Sequence, residues 1–317
     1  MEKALYIQKE VQKILGTEDV YLVGGSVRDL VMGNTPKDYD FTTSLPPDEM
    51  TEKVKAAGRR VYTIGEKFGT IGFKVPLSQF RTMLDDGTYT ELQDSKINFE
   101  YVEVTTFRSE VYTSKSRKPE VAFVTSLYED LARRDFTMNA MVLRSDGSIY
   151  DPYGGKLDIY AKQIKTVGMP KDSIQEDPLR IFRAARFAAR YGFTIDPNFI
   201  GKARQLADRI FDVSVERWVM ELDKMLTSNH TWQGLSALEQ MGVLSRILPE
   251  ITSVPPFVDR FDDADWAWKY LLNDVNVSEN IKEPTRTKRF VQTGICHRFK
   301  LSNSRTDFIL DKTRKKD

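Results

Sequence analysis

The sequence holds one cysteine, Cys296, and two histidines, His230 and His297, in 317 residues. A single thiol cannot close an intramolecular disulfide, which excludes a disulfide-stapled secreted scaffold and a cysteine-built zinc module and points to a reducing compartment. Two separated histidines give no basis for a Ser-His-Asp or Cys-His nucleophile arrangement. His230 reads as a helix cap or surface residue, and His297 beside Cys296 is too isolated for a zinc site. Also missing is any run of 18 or more apolar residues, and the first sixteen residues carry charges at Glu2, Lys3, Lys9, Glu10 and Lys13. Neither export nor membrane anchoring is therefore expected, and the cytoplasm is the expected location. Net charge is missing too: 47 basic against 46 acidic residues leave +1, so any polyanion site must be a local segregation of charge. One such segregation lies at residues 281–317, where eleven Lys or Arg face four acidic residues. It reads either as a solvated tail or as an RNA-phosphate patch.

What is present is an ordinary globular composition, 40% hydrophobic and 29% charged, long enough for two or three domains. The first 145 residues alternate β-branched and aromatic runs with glycine punctuation: 20–25, 39–43, 60–65, 70–75 and 99–107. From 127 onward the apolar period becomes helical. Sheet first and helices later predicts an α+β fold. We divide it at 1–145 (head), 146–250 (helical neck) and 251–317 (short basic C-terminal body or tail). The polar stretch 78–98 separates two strand candidates and reads as an insertion. The Met and Trp residues of 218–226 and 266–272 sit at spacings that read as core.

Three constellations carry chemistry. In YLVGGSVRDLVMG a strand runs into Gly24-Gly25-Ser26 and then into a helical pattern, an arrangement in which backbone N–H groups hold an anion, with Arg28 in reach of the same phosphates. Downstream, KDYDFTT places Asp38 and Asp40 two residues apart, so that on a strand both carboxylates share one face and can share divalent cations. A glycine turn coupled to such a pair is a device for nucleoside triphosphates, in which two Mg²⁺ ions activate an attacking hydroxyl and stabilise leaving pyrophosphate. Glu103, on a neighbouring strand candidate, is the expected third carboxylate; the alternative is an edge-strand glutamate facing water. The second constellation, LARRDFTMNAM, crowds Arg133, Arg134, Asp135 and Asn139 into an apolar helical segment. Their surroundings leave little room to solvate both arginines, favouring a bound anion or ribose as partner.

The third is EDPLRIFRAARFAARYGF. At about 100° per residue, Arg180, Arg183, Arg186 and Arg190 fall within one half of a helix together with Asp177, while Leu179, Phe182 and Phe187 cover the remainder. If Asp177 accepts from an exocyclic amine and Arg180 donates to the adjacent ring nitrogen, cytosine and adenine satisfy the pair. Uracil and guanine oppose it with a carbonyl and an N–H.

GGSVRD with DYD, RRDFTMNA, DPYGGKLDI, EDPLR and SVERWVMELDKML together resemble the class II tRNA nucleotidyltransferases, the CCA-adding enzymes, and the related bacterial poly(A) polymerases. The resemblance spans residues 20 to about 250. It implies a polymerase-β-like head holding two metals at Asp38 and Asp40, with Gly25, Arg28 and Arg134 on the triphosphate and sugar. It further implies that Asp177 and Arg180 form a protein template for the base, assisted by Arg183 and Arg186. The implied partners are CTP, ATP and the 3′ end and acceptor stem of tRNA, with Mg²⁺ as cofactor. Residues 106–123 correspond to a flexible loop that CC-adding relatives shorten, which favours addition of the final A as well. The family usually continues with helical body and tail domains, whereas some 65 residues follow LPEI here; segment 281–317 is expected to take over the grip on RNA, or the RNA is smaller. A poly(A) polymerase, a partial CC- or A-adding enzyme and a catalytically idle RNA-binding module remain the alternatives.

Overall fold

The computed structural model of the chain describes residues 1–65, 69–77, 80–83, 89–91, 99–111, 120–251, 261–273 and 284–310. The chain divides into two units, Met1–Ala161 and Lys162–Asp317.

The first unit is built on α1 (Glu2–Leu15), β1 (Val20–Val23), α2 (Gly25–Val31), β2 (Tyr39–Thr43), α3 (Pro47–Ala56), β3 (Tyr62–Gly65), β4 (Thr70–Pro76), β5 (Arg81–Met83), β6 (Tyr89–Glu91), β7 (Phe99–Thr106), β8 (Arg108–Val111), β9 (Glu120–Phe123), α4 (Leu127–Ala132), a 3-10 turn (Thr137–Asn139), β10 (Val142–Leu143), β11 (Ile149–Tyr150) and α5 (Gly155–Tyr160). Seven strands form one sheet in the order β11-β10-β1-β2-β7-β4-β3. Every neighbouring pair is antiparallel except β2 and β7, which run parallel. Strand alternation sends Val102, Val104, Phe41, Ile71, Phe73 and Val75 into the core, against α1 and α3. The opposite face keeps Asp40, Tyr101, Glu103 and Lys74 open to solvent. The hairpins β5–β6 and β8–β9 form their own two-stranded ribbons. The rest of the 78–98 insertion, and the tip of the 106–123 loop, lie outside the described residues.

The helical pattern expected from residue 127 is corrected. After α4 the chain makes a 3-10 turn and returns to the sheet as β10 and β11, because Asp135 accepts from the N–H of Phe136 (2.8 Å) and so offers the backbone a non-helical partner. This places residues 142–161 with the head, beyond the expected boundary at 145. In DPYGGK the carboxylate of Asp151 accepts from the N–H groups of Gly155 and Lys156, 2.8 Å each, satisfying two otherwise orphaned donors at the start of α5.

The second unit contains β12 (Gln163–Ile164), α6 (Pro170–Glu176), α7 (Leu179–Tyr191), β13 (Thr194–Ile195), α8 (Pro197–Gln205), a 3-10 stretch (Ala207–Asp212), α9 (Val215–Leu226), α10 (Thr231–Gln240), α11 (Leu244–Ile247), α12 (Ala264–Asn273), α13 (Pro284–Arg298) and α14 (Asn303–Ile309). The run 172–193 is two helices, broken at Asp177-Pro178 because the residue before a proline is driven from helical to extended backbone; Asp177 has φ −139° and ψ 100°. Helix α7 is the centre of the unit, packed by α6, α9 and α10. Trp218 and Trp268 are buried as expected, but Met220 and Trp266 are exposed. Each stands two positions from its buried tryptophan, about 200° around the helix. His230 is the N-cap residue of α10. Among the described residues no helix is long and apolar enough to cross a membrane.

Asp151→Ala is expected to lower stability by about 1 kcal/mol, as loss of a helix N-terminal acceptor does, with Asp151→Asn losing less; urea denaturation of the two variants checks this.

Candidate active site

Gly24 ends β1 with φ 70° and ψ −129°, a backbone conformation that favours glycine, and turns the chain into α2. Ser26, in the first turn of α2, donates its hydroxyl to the carbonyl of Asp38 at 2.8 Å and accepts from the N–H of Asp40 at 3.5 Å. One side chain thus ties the glycine turn to the acidic segment. Asp40 lies in β2 and Asp38 just before it. The parallel pairing then sets Asp40 directly opposite Glu103 on β7, both on the open face. The third carboxylate expected from the sequence is therefore brought beside Asp40.

The electrostatics record that proximity. Asp40 is reachable by solvent yet surrounded by protein; this burial first, then the charges of Glu103 and Asp38, push its carboxyl up to about 6, while Arg134 pulls it down. Tyr101 donates to Glu103 at 3.4 Å, and burial first, then the charge and hydrogen bond of Glu103, raise its hydroxyl above the usual phenol range.

Arg133 and Arg134 meet a partner that the sequence reading missed, Asp130. This fully buried carboxylate accepts from Arg133 Nε (3.0 Å) and Nη2 (2.7 Å), Arg134 Nη2 (3.0 Å), the Thr42 hydroxyl (3.3 Å) and the Arg108 N–H (3.3 Å). Burial raises its carboxyl, but the charges and hydrogen bonds of the two arginines outweigh that and leave it below the usual carboxylate range. The expectation that crowding reserves both arginines for a bound anion or ribose is corrected: a carboxylate one turn earlier relieves it. The i+3 and i+4 spacing in EDLARR was the available signal. The two arginines differ in direction. Arg134 Nη1 approaches Gly24, where a β-carbon would stand 3.1 Å from it, and its buried Nε has no hydrogen-bond partner. Arg28 is buried, bonded to Asn139 Oδ1 (2.6 Å) and Asp29 Oδ1 (2.9 Å from Nη2), and packs against Gly25. Asn139 in turn donates to Asp135 at 3.0 Å, so the motif closes on the glycine turn.

In the second unit, Asp177 accepts from the Leu179 N–H (3.1 Å) through Oδ1 and from Arg217 (3.0 Å) through Oδ2. Arg180 is buried and its Nη1 donates to Ser173 Oγ and Glu176, both at 2.9 Å. Arg186 is buried against Glu221 Oε2 at 2.5 Å, and Arg183 lies 3.7 Å from the same carboxylate. Phe187 does not cover the face opposite the arginines. It falls about 20° from Arg180 around the helix, and its ring lies 4.0 Å from the Arg186 guanidinium and 5.7 Å from that of Arg183. Arg190 alone of the stripe is exposed. Glu221 and Arg217 carried no local signal, since they reach α7 and Asp177 from 35 and 40 positions away.

Residues 20–165 match the model of the poly(A) polymerase head domain, and residues 192–254 match that of the probable RNA- and SrmB-binding site of polymerase A. The chain is 38% identical over 226 residues to a CCA-adding enzyme of Levilactobacillus brevis, covering 71% of this chain and 50% of that one. It is 38% identical over 243 residues to a CCA-adding enzyme of Bacillus subtilis, covering 76% and 55%. The chain belongs to the class II tRNA nucleotidyltransferase and poly(A) polymerase family. It spans about half the length of the curated relatives it matches. The fold agrees: the crystal structure of the Bacillus stearothermophilus CCA-adding enzyme in complex with CTP superposes with a TM-score of 0.69 at 28% identity, covering 96% of this chain and 67% of that one.

The family implies a divalent cation. Among the described residues no three His, Cys, Asp or Glu side chains form a ready-made cage. The donor set nevertheless fits Mg²⁺, which takes one or two carboxylates and completes its shell with water and substrate phosphates. The negative charges of Glu103 and Asp38 acting on Asp40 are the imbalance that such an ion would offset.

Because Asp40 is raised above its unfolded value, the native state holds its proton more tightly between pH 4 and 6, and stability falls as pH rises through that window. In metal-free buffer Asp40→Asn should therefore raise the thermal midpoint at pH 8 and leave it unchanged near pH 4; scanning calorimetry at both pH values checks the sign.

Proposed function

We propose that the protein is a template-independent tRNA nucleotidyltransferase that adds C and A to the tRNA 3′ end from CTP and ATP, releasing pyrophosphate. The observation that carries the reading is the register of β2 against β7, which sets Asp40 opposite Glu103 beside a glycine turn tied to Asp38 by Ser26. It is supported by relatives at 38% identity named as CCA-adding enzymes, and by a structural neighbour solved with CTP.

In this reading the RNA 3′-hydroxyl attacks the α-phosphate of the bound nucleotide. Asp38 and Asp40 would hold Mg²⁺, which supplies electrostatic stabilisation of the charge on the phosphates when bound. Glu103 adds negative charge to the same group. The turn Gly24-Gly25-Ser26 would present the backbone N–H groups of Gly25 and Ser26 to the triphosphate, while that of Gly24 donates to the Met141 carbonyl. Arg28, Asp135 and Asn139 hold that turn in place through the bonds described above. Arg134, fixed by Asp130 and directed toward Gly24, would contact the phosphates and sugar together with Arg28, which packs against Gly25. Asp177 reads the exocyclic amine: an ionised carboxylate has about four lone-pair positions, and its bonds to Leu179 and Arg217 hold it in place without exhausting them. Arg180, held by Ser173 and Glu176, donates to the ring nitrogen, and Arg183 and Arg186 keep α7 charged and rigid behind it. A lone, buried thiol suits the cytoplasm as the setting.

The test is extension of tRNA transcripts ending before CCA, after C and after CC, with single nucleotides and with a CTP/ATP mixture. Products ending at CCA are expected; long A tails would instead identify a poly(A) polymerase. Asp40→Ala should reduce incorporation about a thousandfold or more while RNA binding persists, and retained turnover would remove the metal-holding role.

Arg180→Ala should admit UTP and GTP while changing total nucleotide affinity less; unchanged rejection of both in the same assay removes Arg180 from base selection.

A further inference from the structure

The open face of the head sheet carries an arrangement that the reaction scheme above does not use. Gly72 on β4 is the register partner of Glu103 on β7. A β-carbon at Gly72 would stand 2.0 Å from the hydroxyl of Tyr101 and 2.6 Å from its ring carbon Cζ. The hydroxyl end of the Tyr101 ring therefore lies over the glycine, in the space a side chain would fill. That placement carries its hydroxyl along the sheet to Glu103, where it donates to Oε1 at 3.4 Å. On the far side the ring is met edge-on by Tyr62, with centroids 5.8 Å apart at 69°, and the Arg60 guanidinium covers Tyr62 at 5.3 Å. An aromatic ring over a strand glycine supports a sheet by itself. The ring alone, however, does not call for a hydroxyl ending at the carboxylate opposite Asp40.

We propose that Tyr101 is a positioning residue, its hydroxyl holding the Glu103 carboxylate beside Asp40. The proposal rests on the nucleotidyltransferase reading and on the part given there to Glu103. Gly72 is the device that makes it possible, since any side chain there displaces the ring. Without the hydroxyl, Glu103 is free to turn toward solvent, as an exposed glutamate on a strand does, and the charge opposite Asp40 is no longer fixed.

Tyr101→Phe keeps the ring over Gly72 and removes only the donor, so it separates positioning from sheet support. The experiment measures single-turnover CTP incorporation on tRNA lacking CCA by the wild type, Tyr101→Phe, Glu103→Gln and the double variant, with thermal midpoints alongside. Expected is a roughly three- to tenfold lower rate at saturating CTP for Tyr101→Phe, with KM and thermal midpoint unchanged and no further loss when it is added to Glu103→Gln. A slow Glu103→Gln beside a fully active Tyr101→Phe overturns the proposal and leaves the role of Glu103 standing. Losses that multiply in the double variant overturn it as well, since Tyr101 then acts elsewhere. A fully active Glu103→Gln overturns both the proposal and the role of Glu103, whereas inactivity of the wild type on every RNA end fails the nucleotidyltransferase reading itself.

Discussion

The parallel pairing of β2 with β7 is the constraint on which the head depends. In a sheet otherwise antiparallel, it is the join that brings residue 40 level with residue 103. It assembles negative charge at a cost, which adds to that of burial in displacing the Asp40 carboxyl upward. Nothing in the packing of the sheet requires that cost: Val102, Val104 and Phe41 supply the core from the opposite face whatever stands at 40 and 103. Groups held in mutual repulsion on a solvent-facing surface are the pattern expected where a cationic ligand completes the site.

Both units settle arginines on a buried carboxylate in the same manner. Asp130 takes Arg133 and Arg134, and Glu221 takes Arg186 with Arg183 nearby. A buried guanidinium left unpaired is far more costly than one sharing a carboxylate, so each acidic residue fixes the direction of the arginines it holds. In the head this turns Arg134 toward the glycine turn while Arg133 faces Asp130 with two nitrogens. In the helical unit, Phe187 joins the arginines, its ring face meeting the guanidinium of Arg186.

Five of the seven strands of the head sheet were visible in the sequence almost residue for residue, because period-two alternation and glycine punctuation are local signals: YDFTT is β2, and FEYVEVTT is β7, whereas the short β10 and β11 were read as helical. The acidic pair and the glycine turn were visible for the same reason, and Glu103 was placed on the adjacent strand without knowledge of its register. Hidden were the partners supplied from afar. Glu221 reaches α7, and Arg217 reaches Asp177, across some forty residues with no spacing rule to announce them. Asp130 was within reach of the i+3 and i+4 rule but stood outside the motif that drew attention. The helix expected through 127–143 failed where Asp135 bonds its neighbour's backbone, a choice that apolar periodicity does not register.

The central claim is that the carboxylates gathered by the β2–β7 pairing form a divalent-cation site that works with a nucleoside triphosphate. Electron paramagnetic resonance titration with Mn²⁺ in the presence of CTP tests it most directly. The account predicts protein-dependent loss of the free Mn²⁺ signal, beyond that due to CTP alone, for the wild type and not for Asp40→Asn. Equal Mn²⁺ binding by both proteins would contradict it.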